Sequence, residues 1–403
     1  MKIREKIASL FFSFIILFSP SLAFAKNQDQ VVGYDSQVRS YIIGNQAIGE
    51  IFYEKNADKS YPIASMSKLM TYLLTKEAIA KGEISTDQTI KASKEAEKLT
   101  SWEYSHLGLK EGEVYTIDEL LKGLMVVSGN DCAYELARAV GGSEKKFVKQ
   151  MNEKAKSLGL DSQSYYNADG LQTEDEKQNS SSARDMFRLS QVIIKEFPEV
   201  LEYAKIRKIE DKKRDIEKNS TIPLVDEVEG VDGLKTGSTA EAGFCVTTTV
   251  DMKKLDDNDS FRTIAVVMGA ESDEIRNLAM KDLIYYVSKY YNSKEVLNTN
   301  LAAETLKLNT VSSGYVELYP VKSLSFIIKN GTVPATKYKI KDNIKAPIKA
   351  GEKLGDVEVY YNDQTYDVAL VTKEKQNQAS KFIRLVRVFK DTCNFLLECI
   401  IAR

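Results

Sequence analysis

The sequence has a single histidine, His106, in 403 residues. A Ser-His-Asp triad would have to be built on that one imidazole, and a site with several histidine ligands is impossible. Its neighbours, Ser101-Trp102-Glu103-Tyr104-Ser105, read as a polar loop, so the expectation is a surface histidine. Cysteine is almost as scarce. Cys132, Cys245, Cys393 and Cys399 form no C-x-x-C pair and no Cys/His cluster, which removes the usual zinc sites. Cys132 and Cys245 lie in apolar stretches and read as small buried side chains. A formal charge of −2, with no basic stripe carrying interleaved aromatics, gives no support for nucleic acid as a partner. Long apolar runs are also missing. Ile7 to Phe18 is too short for the roughly 20 residues of a spanning helix. Preceded by Lys2, Arg4 and Lys6 and followed by Ala23-Phe24-Ala25, it has the order of a secretory signal, residues 1–25, with a mature start near Lys26.

What is present divides the chain by texture. Val38 to Ile43 and Ala47 to Tyr53 are β-rich runs around Gly44-Asn45, a hairpin signal. From Ser65, Met66, Leu69, Met70, Leu73 and Leu74 recur at helical spacing. Helical patterns continue at Ile117 to Val127, Asp131 to Val140, Lys145 to Leu158 and Ser182 to Lys195. Gly243 to Val250 and Arg262 to Gly269 return to strand character, and Asp273 to Tyr291 is helical. Strands at both ends with helices between predict an α/β domain over residues 30–294, its sheet assembled from distant segments. Short β runs between Val316 and Val371, separated by turn residues, predict a small all-β domain over 301–374. Lys373 to Ser380 reads as a polar linker. Residues 381–403 form an amphipathic helix, basic in its first half, which suits either a membrane-surface anchor or a helix docked on its own protein. Its terminal position favours the anchor, and its charges argue against a span.

Three short patterns carry chemistry. In Ser65-Met66-Ser67-Lys68 the i,i+3 spacing brings an amine beside a hydroxyl, and a serine needs such a base to become a nucleophile. The pattern alone is weak, since Ser143-Glu144-Lys145-Lys146 also satisfies it as a helix start. Ser128-Gly129-Asn130 sits between two helical stretches and reads either as a capped turn or as a hydroxyl and an amide projected into a cleft. Lys235-Thr236-Gly237 stands at the entry to strand sequence, where a strand edge, a close-approach glycine and a cation suit an extended peptide ending in a carboxylate.

The order S-x-x-K, S-x-N, K-T-G occurs in β-lactamases and penicillin-binding proteins. The chain resembles the low-molecular-mass penicillin-binding proteins, specifically the D-alanyl-D-alanine carboxypeptidases. Pro62 to Thr71, Asn167-Ala168-Asp169-Gly170-Leu171, Asp232 to Gly237 with Glu241-Ala242-Gly243, and Ala346 to Gly351 are similar to that family's segments. The resemblance implies a transpeptidase/β-lactamase-like catalytic domain, an antiparallel sheet flanked by helices with a helical region, followed by the all-β domain and the terminal helix. It implies removal of the terminal D-alanine from peptidoglycan stem peptides through an acyl-enzyme on Ser65, and acylation of Ser65 by β-lactams. Lys68 would be the base, Ser128 the proton shuttle and Asn130 the orienting amide. Lys235 and Thr236 would bind the carboxylate beside Gly237, and the backbone N–H groups of Ser65 and Ser238 would form the oxyanion hole. No metal or organic cofactor is implied. Some members of the family carry histidine where this chain has Ser238. Competing readings are a β-lactamase, for whose deacylation base Glu174 and Glu176 lie in the right interval though neither sits in an E-x-x-L-N pattern, a D,D-endopeptidase, and a catalytically silent cell-wall protein. The implied location is the outer face of the cytoplasmic membrane.

Overall fold

The computed structural model describes residues 31–257 and 259–401; the expected secretory signal lies outside them. A five-stranded antiparallel sheet carries the catalytic region. Its strands are β1 (Ser40–Asn45), β2 (Ile51–Lys55), β3 (Val231–Thr239), β4 (Gly243–Asp251) and β5 (Arg262–Ala270), in the order β2-β1-β5-β4-β3. The two ends of the sequence segment therefore meet at β1 and β5, with Ser40 opposite Met268. β3 and β2 are its two edges. The β1–β2 turn falls at residues 46–49, later than the Gly44-Asn45 signal, because Gly44 is still paired, opposite Ile51 and Ile264.

The helical region packs on one face of this sheet. Its main elements are α1 (Lys68–Ala80), α2 (Ile117–Val126), α3 (Asn130–Gly141), α4 (Glu144–Ser157) and α5 (Ala183–Glu196). Local chemistry starts most of them. Thr116 and Glu119 form a reciprocal capping box on α2, and Ser143 and Ser182 cap α4 and α5. The Ser143 pattern is thus a helix start and nothing more. Apolar faces of these helices join Ile42, Ile264 and Val266 in one core, while Val267, Val246 and Val250 alternate to the other face, beneath α6 (Asp273–Tyr290). Short ribbons unforeseen in the sequence pair 60–62 with 180–182, 89–91 with 114–116, and 208–211 with 216–219.

The β module begins earlier than its turn pattern implied. β6 (Tyr291–Leu297) leaves α6 directly and pairs with β9 (Leu324–Lys329). β7 (Glu304–Lys307), β8 (Tyr315–Pro320), β10 (Ala335–Ile340), β11 (Lys353–Tyr361) and β12 (Gln364–Val371) form the second five-stranded sheet, in the order β7-β8-β12-β11-β10. A separate core, including Val316, Val357 and Leu370, fills it. The segment expected as a free linker is tied down, since Gln376 bridges Ile348 and Gln378 bridges Val311. The final helix, α7 (Lys381–Ile401), turns polar residues toward this module. Arg387 donates to the carbonyls of Val311 and Ser312 at 2.6 and 2.8 Å, and Asp391 pairs with Lys307 at 2.7 Å. Phe382, Leu385 and Phe389 on the same helix are 69–74% exposed. This is the reverse of a helix covering its own core. Among the described residues no helix is long and apolar enough to cross a membrane.

Candidate active site

The site lies where the open edge of β3 meets the helical region. Ser65 does not stand on the helix that follows it. Residues Ala64–Ser67 form a 3-10 turn, and Lys68 is the first residue of α1. A 3-10 turn has three residues per turn, so positions i and i+3 stand directly over one another. Lys68 Nζ accordingly lies 2.8 Å from Ser65 Oγ. Met66, Leu69 and Met70 are fully buried beneath the turn, each contributing about 2 kcal/mol of burial that holds it in place.

The amine of Lys68 is enclosed. It also donates to Asn130 Oδ1 at 2.6 Å and to the carbonyl of Asp169 at 2.7 Å. Burial pulls its pKa down to about 8, against the opposing pull of Asp169 and Asp131. The loop between α2 and α3 supplies the second group. Ser128 takes a left-handed backbone (φ 59°), and α3 starts at Asn130. Asp131 in the first turn of α3 accepts the backbone N–H groups of Leu107, Gly108 and Leu109 at 2.8–3.1 Å, fixing the wall above the site.

From the sheet, Lys235 reaches across and donates to Ser128 Oγ at 2.8 Å and to the Thr236 carbonyl at 2.9 Å. Lys235 is fully buried, within β3, and not a solvated surface lysine. Burial first, and the charge of Lys68 second, hold its ammonium well below the ordinary range. Gly237 is where strand and nucleophile turn touch. A Cβ there would sit 2.6 Å from the Ile63 carbonyl and 3.0 Å from the Ser65 nitrogen. The Thr236 carbonyl points out of the sheet toward Lys235 Nζ, so by strand alternation the backbone N–H and C=O of Ser238 also face the cleft. The eight residues singled out in the sequence are thus gathered at one place, from three separate segments.

One contributor was not read as part of the site. In Asn167-Ala168-Asp169-Gly170-Leu171, the Asp169 carbonyl holds the base and the Ala168 carbonyl accepts from Thr71 Oγ1 at 2.6 Å. Asn167 braces the loop, accepting from Gly170 N at 2.8 Å and donating to the Leu171 carbonyl at 2.6 Å. Gly170 has φ 92°, and a Cβ on it would lie 1.9 Å from the Ala64 carbonyl. Gly170→Val should therefore cost more than about 2 kcal/mol, from strain and backbone clash together. Thermal unfolding measures it, and an unchanged melting temperature would contradict this packing.

His106 is half-buried, not a free surface residue, and its enclosed Nδ1 has no hydrogen-bond partner among the described residues. It makes no hydrogen bond to Ser65. Cys132 and Cys245 are buried thiols, as their apolar surroundings implied. Glu174 and Glu176 lie exposed on the loop after Gly170, and neither carboxylate bonds to a residue of the site. That leaves the β-lactamase reading without its deacylation base.

Comparison with known proteins bears directly on this geometry. Residues 25–272 match the model of the D-alanyl-D-alanine carboxypeptidase family, peptidase S11. The chain belongs to that family. Residues 291–378 match the C-terminal domain of penicillin-binding protein 5. The carboxypeptidase DacF of Bacillus subtilis (strain 168) is 31% identical over 395 residues, covering 94% of this chain and 96% of the relative. Among solved structures, a peptidoglycan synthesis regulatory factor (PBP3) from Streptococcus pneumoniae superposes with a TM-score of 0.67 at 26% identity, over 85% of this chain and 99% of that one. Penicillin-binding protein D2 from Listeria monocytogenes, in its cefotaxime-bound form, superposes with a TM-score of 0.55 at 32% identity, over 62% of this chain and 96% of that one. This carboxypeptidase-family chain is a serine peptidase with the family's α/β catalytic domain and its C-terminal all-β domain.

Proposed function

We propose that this carboxypeptidase is exported, is held at the outer face of the cytoplasmic membrane by its last helix, and trims the terminal D-alanine from peptidoglycan stem peptides at Ser65. The division that goes with this reading is a leader (1–25), a catalytic domain (30–294), an all-β spacer (301–374) and an anchor helix (381–403). One observation carries the chemistry: a buried amine with a pKa near 8 lies 2.8 Å from the Ser65 hydroxyl.

The steps follow from the geometry. Substrate lies along the edge of β3 with its terminal carboxylate against Lys235 and Thr236. That anion supplies the counter-charge Lys235 lacks, and favours its ammonium form. Neutral Lys68 takes the proton of Ser65 as its oxygen attacks the carbonyl between the two D-alanines. Charge developing on the carbonyl oxygen meets the N–H groups of Ser65 and Ser238. Ser128 already accepts from Lys235, so its own proton is free to pass to the departing D-alanine nitrogen, and it takes in exchange the proton that Lys68 removed from Ser65. Asn130 holds Lys68 in line throughout. Water then cleaves the ester, with Lys68 the base within reach of Ser65. A β-lactam acylates the same oxygen, but its leaving nitrogen stays tethered to the acyl group.

The test is a pentapeptide stem substrate ending in D-Ala-D-Ala. The account requires stoichiometric release of one D-alanine per peptide. Cleavage at an interpeptide crosslink alone would replace it with endopeptidase activity.

The anchor reading rests on the outward apolar face of α7. Protein ending at Ser380 should lose at least about tenfold in sedimentation with anionic lipid vesicles relative to the chain from Lys26 to Arg403. Equal sedimentation of the two would contradict it.

A further inference from the structure

A cavity of about 810 Å³ lies away from the cleft, where the catalytic region meets the β module. The β1–β2 turn and the start of β5 form one wall, and β9 with the β11–β12 hairpin forms the other. Both walls are held in place. Asn45 Oδ1 accepts the backbone N–H groups of Ala47 and Ile48 at 2.8 Å, which fixes the β1–β2 turn. Asn362 and Asp363 take left-handed backbones (φ 47° and 57°), as a two-residue hairpin turn requires. That turn carries the Asn362 amide across to the catalytic region, where it donates to Glu50 Oε1 at 2.6 Å. Tyr361 donates to the Ile327 carbonyl at 2.7 Å, and Ile327 is itself buried in the core beneath α6. The cavity is therefore preformed.

Its lining restricts what can enter. The Phe326 ring lies 4.9 Å from that of Tyr361 and 5.0 Å from that of Tyr366, so three aromatics make one continuous apolar surface. Tyr366 donates to Gln364 Oε1 at 2.6 Å, which leaves the Gln364 amide nitrogen as a donor for a ligand. Glu50 receives Asn362 on one oxygen and meets no cation among the described residues, so its second oxygen is open to an N–H or O–H donor. The cation of the lining, Arg262, is already engaged by Asp232 at 2.6 Å and by Thr249 at 2.7 Å. A phosphate or carboxylate thus finds no free positive charge here. A wholly apolar ligand leaves the amide and the carboxylate unanswered. A neutral molecule with an apolar face and a polar rim satisfies both. An N-acetylated pyranose has that form, with C–H groups on one face and hydroxyls at its edge. Its acetamide N–H suits Glu50, and its acetamide carbonyl suits Gln364.

The register places this cavity toward the opposite end of the sheet from the cleft. Arg262 pairs with Asp251 and Val250 with Val231, whereas Gly237 pairs with Cys245. From Arg262 on β5 to Gly237 on β3 is two strand spacings across and about six residues along, roughly 22 Å in all. A five-residue stem peptide spans at most about 18 Å, so a sugar seated here is not the one whose stem is being cut. We infer that the cavity is an exosite for the glycan strand of peptidoglycan, holding an N-acetylated sugar of the strand whose neighbouring stem peptide lies at Ser65. Seating the strand at a second point raises the local concentration of its other stems at the cleft. Peptide free of glycan gains nothing from it.

The inference rests on peptidoglycan being the substrate, and the experiment separates the two. D-Alanine release by the chain from Lys26 to Arg403 is measured on a soluble pentapeptide and on uncrosslinked glycan strands bearing the same pentapeptide. Binding of a β-1,4-linked N-acetylglucosamine tetramer is followed by NMR titration on protein already acylated with benzylpenicillin, which fills the cleft. The acylated wild type should bind the tetramer. Tyr366→Ala, which removes part of the aromatic surface, and Gln364→Ala, at an exposed position, should each weaken that binding. Both variants should lose at least about fivefold in kcat/KM on strands, while turnover of the soluble pentapeptide stays at the wild-type level. No tetramer binding by the wild type overturns the exosite, as does an unchanged strand-to-peptide ratio in both variants. Absence of D-alanine release from the soluble pentapeptide would instead overturn the catalytic reading, and the tetramer titration would still decide the cavity.

Discussion

Ser65→Ala should reduce D-alanine release from a pentapeptide by about 10⁴- to 10⁶-fold, the loss seen when a covalent nucleophile is removed from a machine that works as a unit. The argument is geometric. Ser67 and Ser128, the other serines of the first two motifs, cannot take over. Ser67 is fully buried and donates to the Ala64 carbonyl at 2.7 Å, pointing away from the cleft. Ser128 is bound to Lys235, on the side of the leaving group. Only the Ser65 oxygen combines access to the cleft with the Lys68 amine. The variant should remain folded, because among the described residues the Ser65 hydroxyl makes no hydrogen bond besides the one to Lys68. Release above about one hundredth of the wild-type rate would mean that another residue forms the acyl-enzyme.

Lys68→Met should slow acylation by a β-lactam by about 10²- to 10⁴-fold, the usual contribution of a positioned general base. Methionine keeps the volume and removes the amine, which separates chemistry from packing. The wild-type pH profile belongs to the same prediction. A lysine lowered to about 8 is mostly protonated at neutral pH, and its reactive neutral form grows as pH rises. Acylation should therefore increase from pH 6 with its midpoint at about 8, and the step should vanish in Lys68→Met. Asp169 and Asp131 hold the amine's pKa up against burial, so Asp169→Asn should move the step to lower pH. Stopped-flow acylation with a chromogenic β-lactam reads both. A flat profile between pH 6 and 9 in the wild type would exclude Lys68 as the base.

Much of this site was legible because its parts are local patterns. Ser65 and Lys68 are three residues apart, Ser128 and Asn130 two, and Lys235 to Ser238 are consecutive. A chain with a single histidine points to lysine rather than imidazole as the base. The helices were readable from spacing because their apolar faces share one core. What escaped was everything set by distant contact. The 3-10 turn at Ala64–Ser67 answers to the backbone of Gly170 and the edge at Gly237, which pattern alone does not reveal. Asp169 holds Lys68 through a carbonyl, a group every residue carries. The burial of His106 comes from the walls around it, not from its polar neighbours in sequence. Residues 373–380 read as a linker by composition, yet their backbone completes the edges of the β module.

The two halves of the molecule differ in how much chemistry they hold. The catalytic region concentrates buried polar groups along one strand edge. The β module and α7 hold theirs at the surface, where they fasten the helix by its polar side and leave phenylalanine and leucine outward. That division suits the proposed membrane attachment, with the cleft in one domain and the outward apolar face in another.

The most direct test of the central claim is the mass of the protein after exposure to benzylpenicillin, followed by peptide mapping. The account predicts one penicilloyl adduct per chain, carried by the peptide containing Ser65 and absent from Ser65→Ala. A stable adduct on any other residue, or none on the folded wild-type protein, would contradict it.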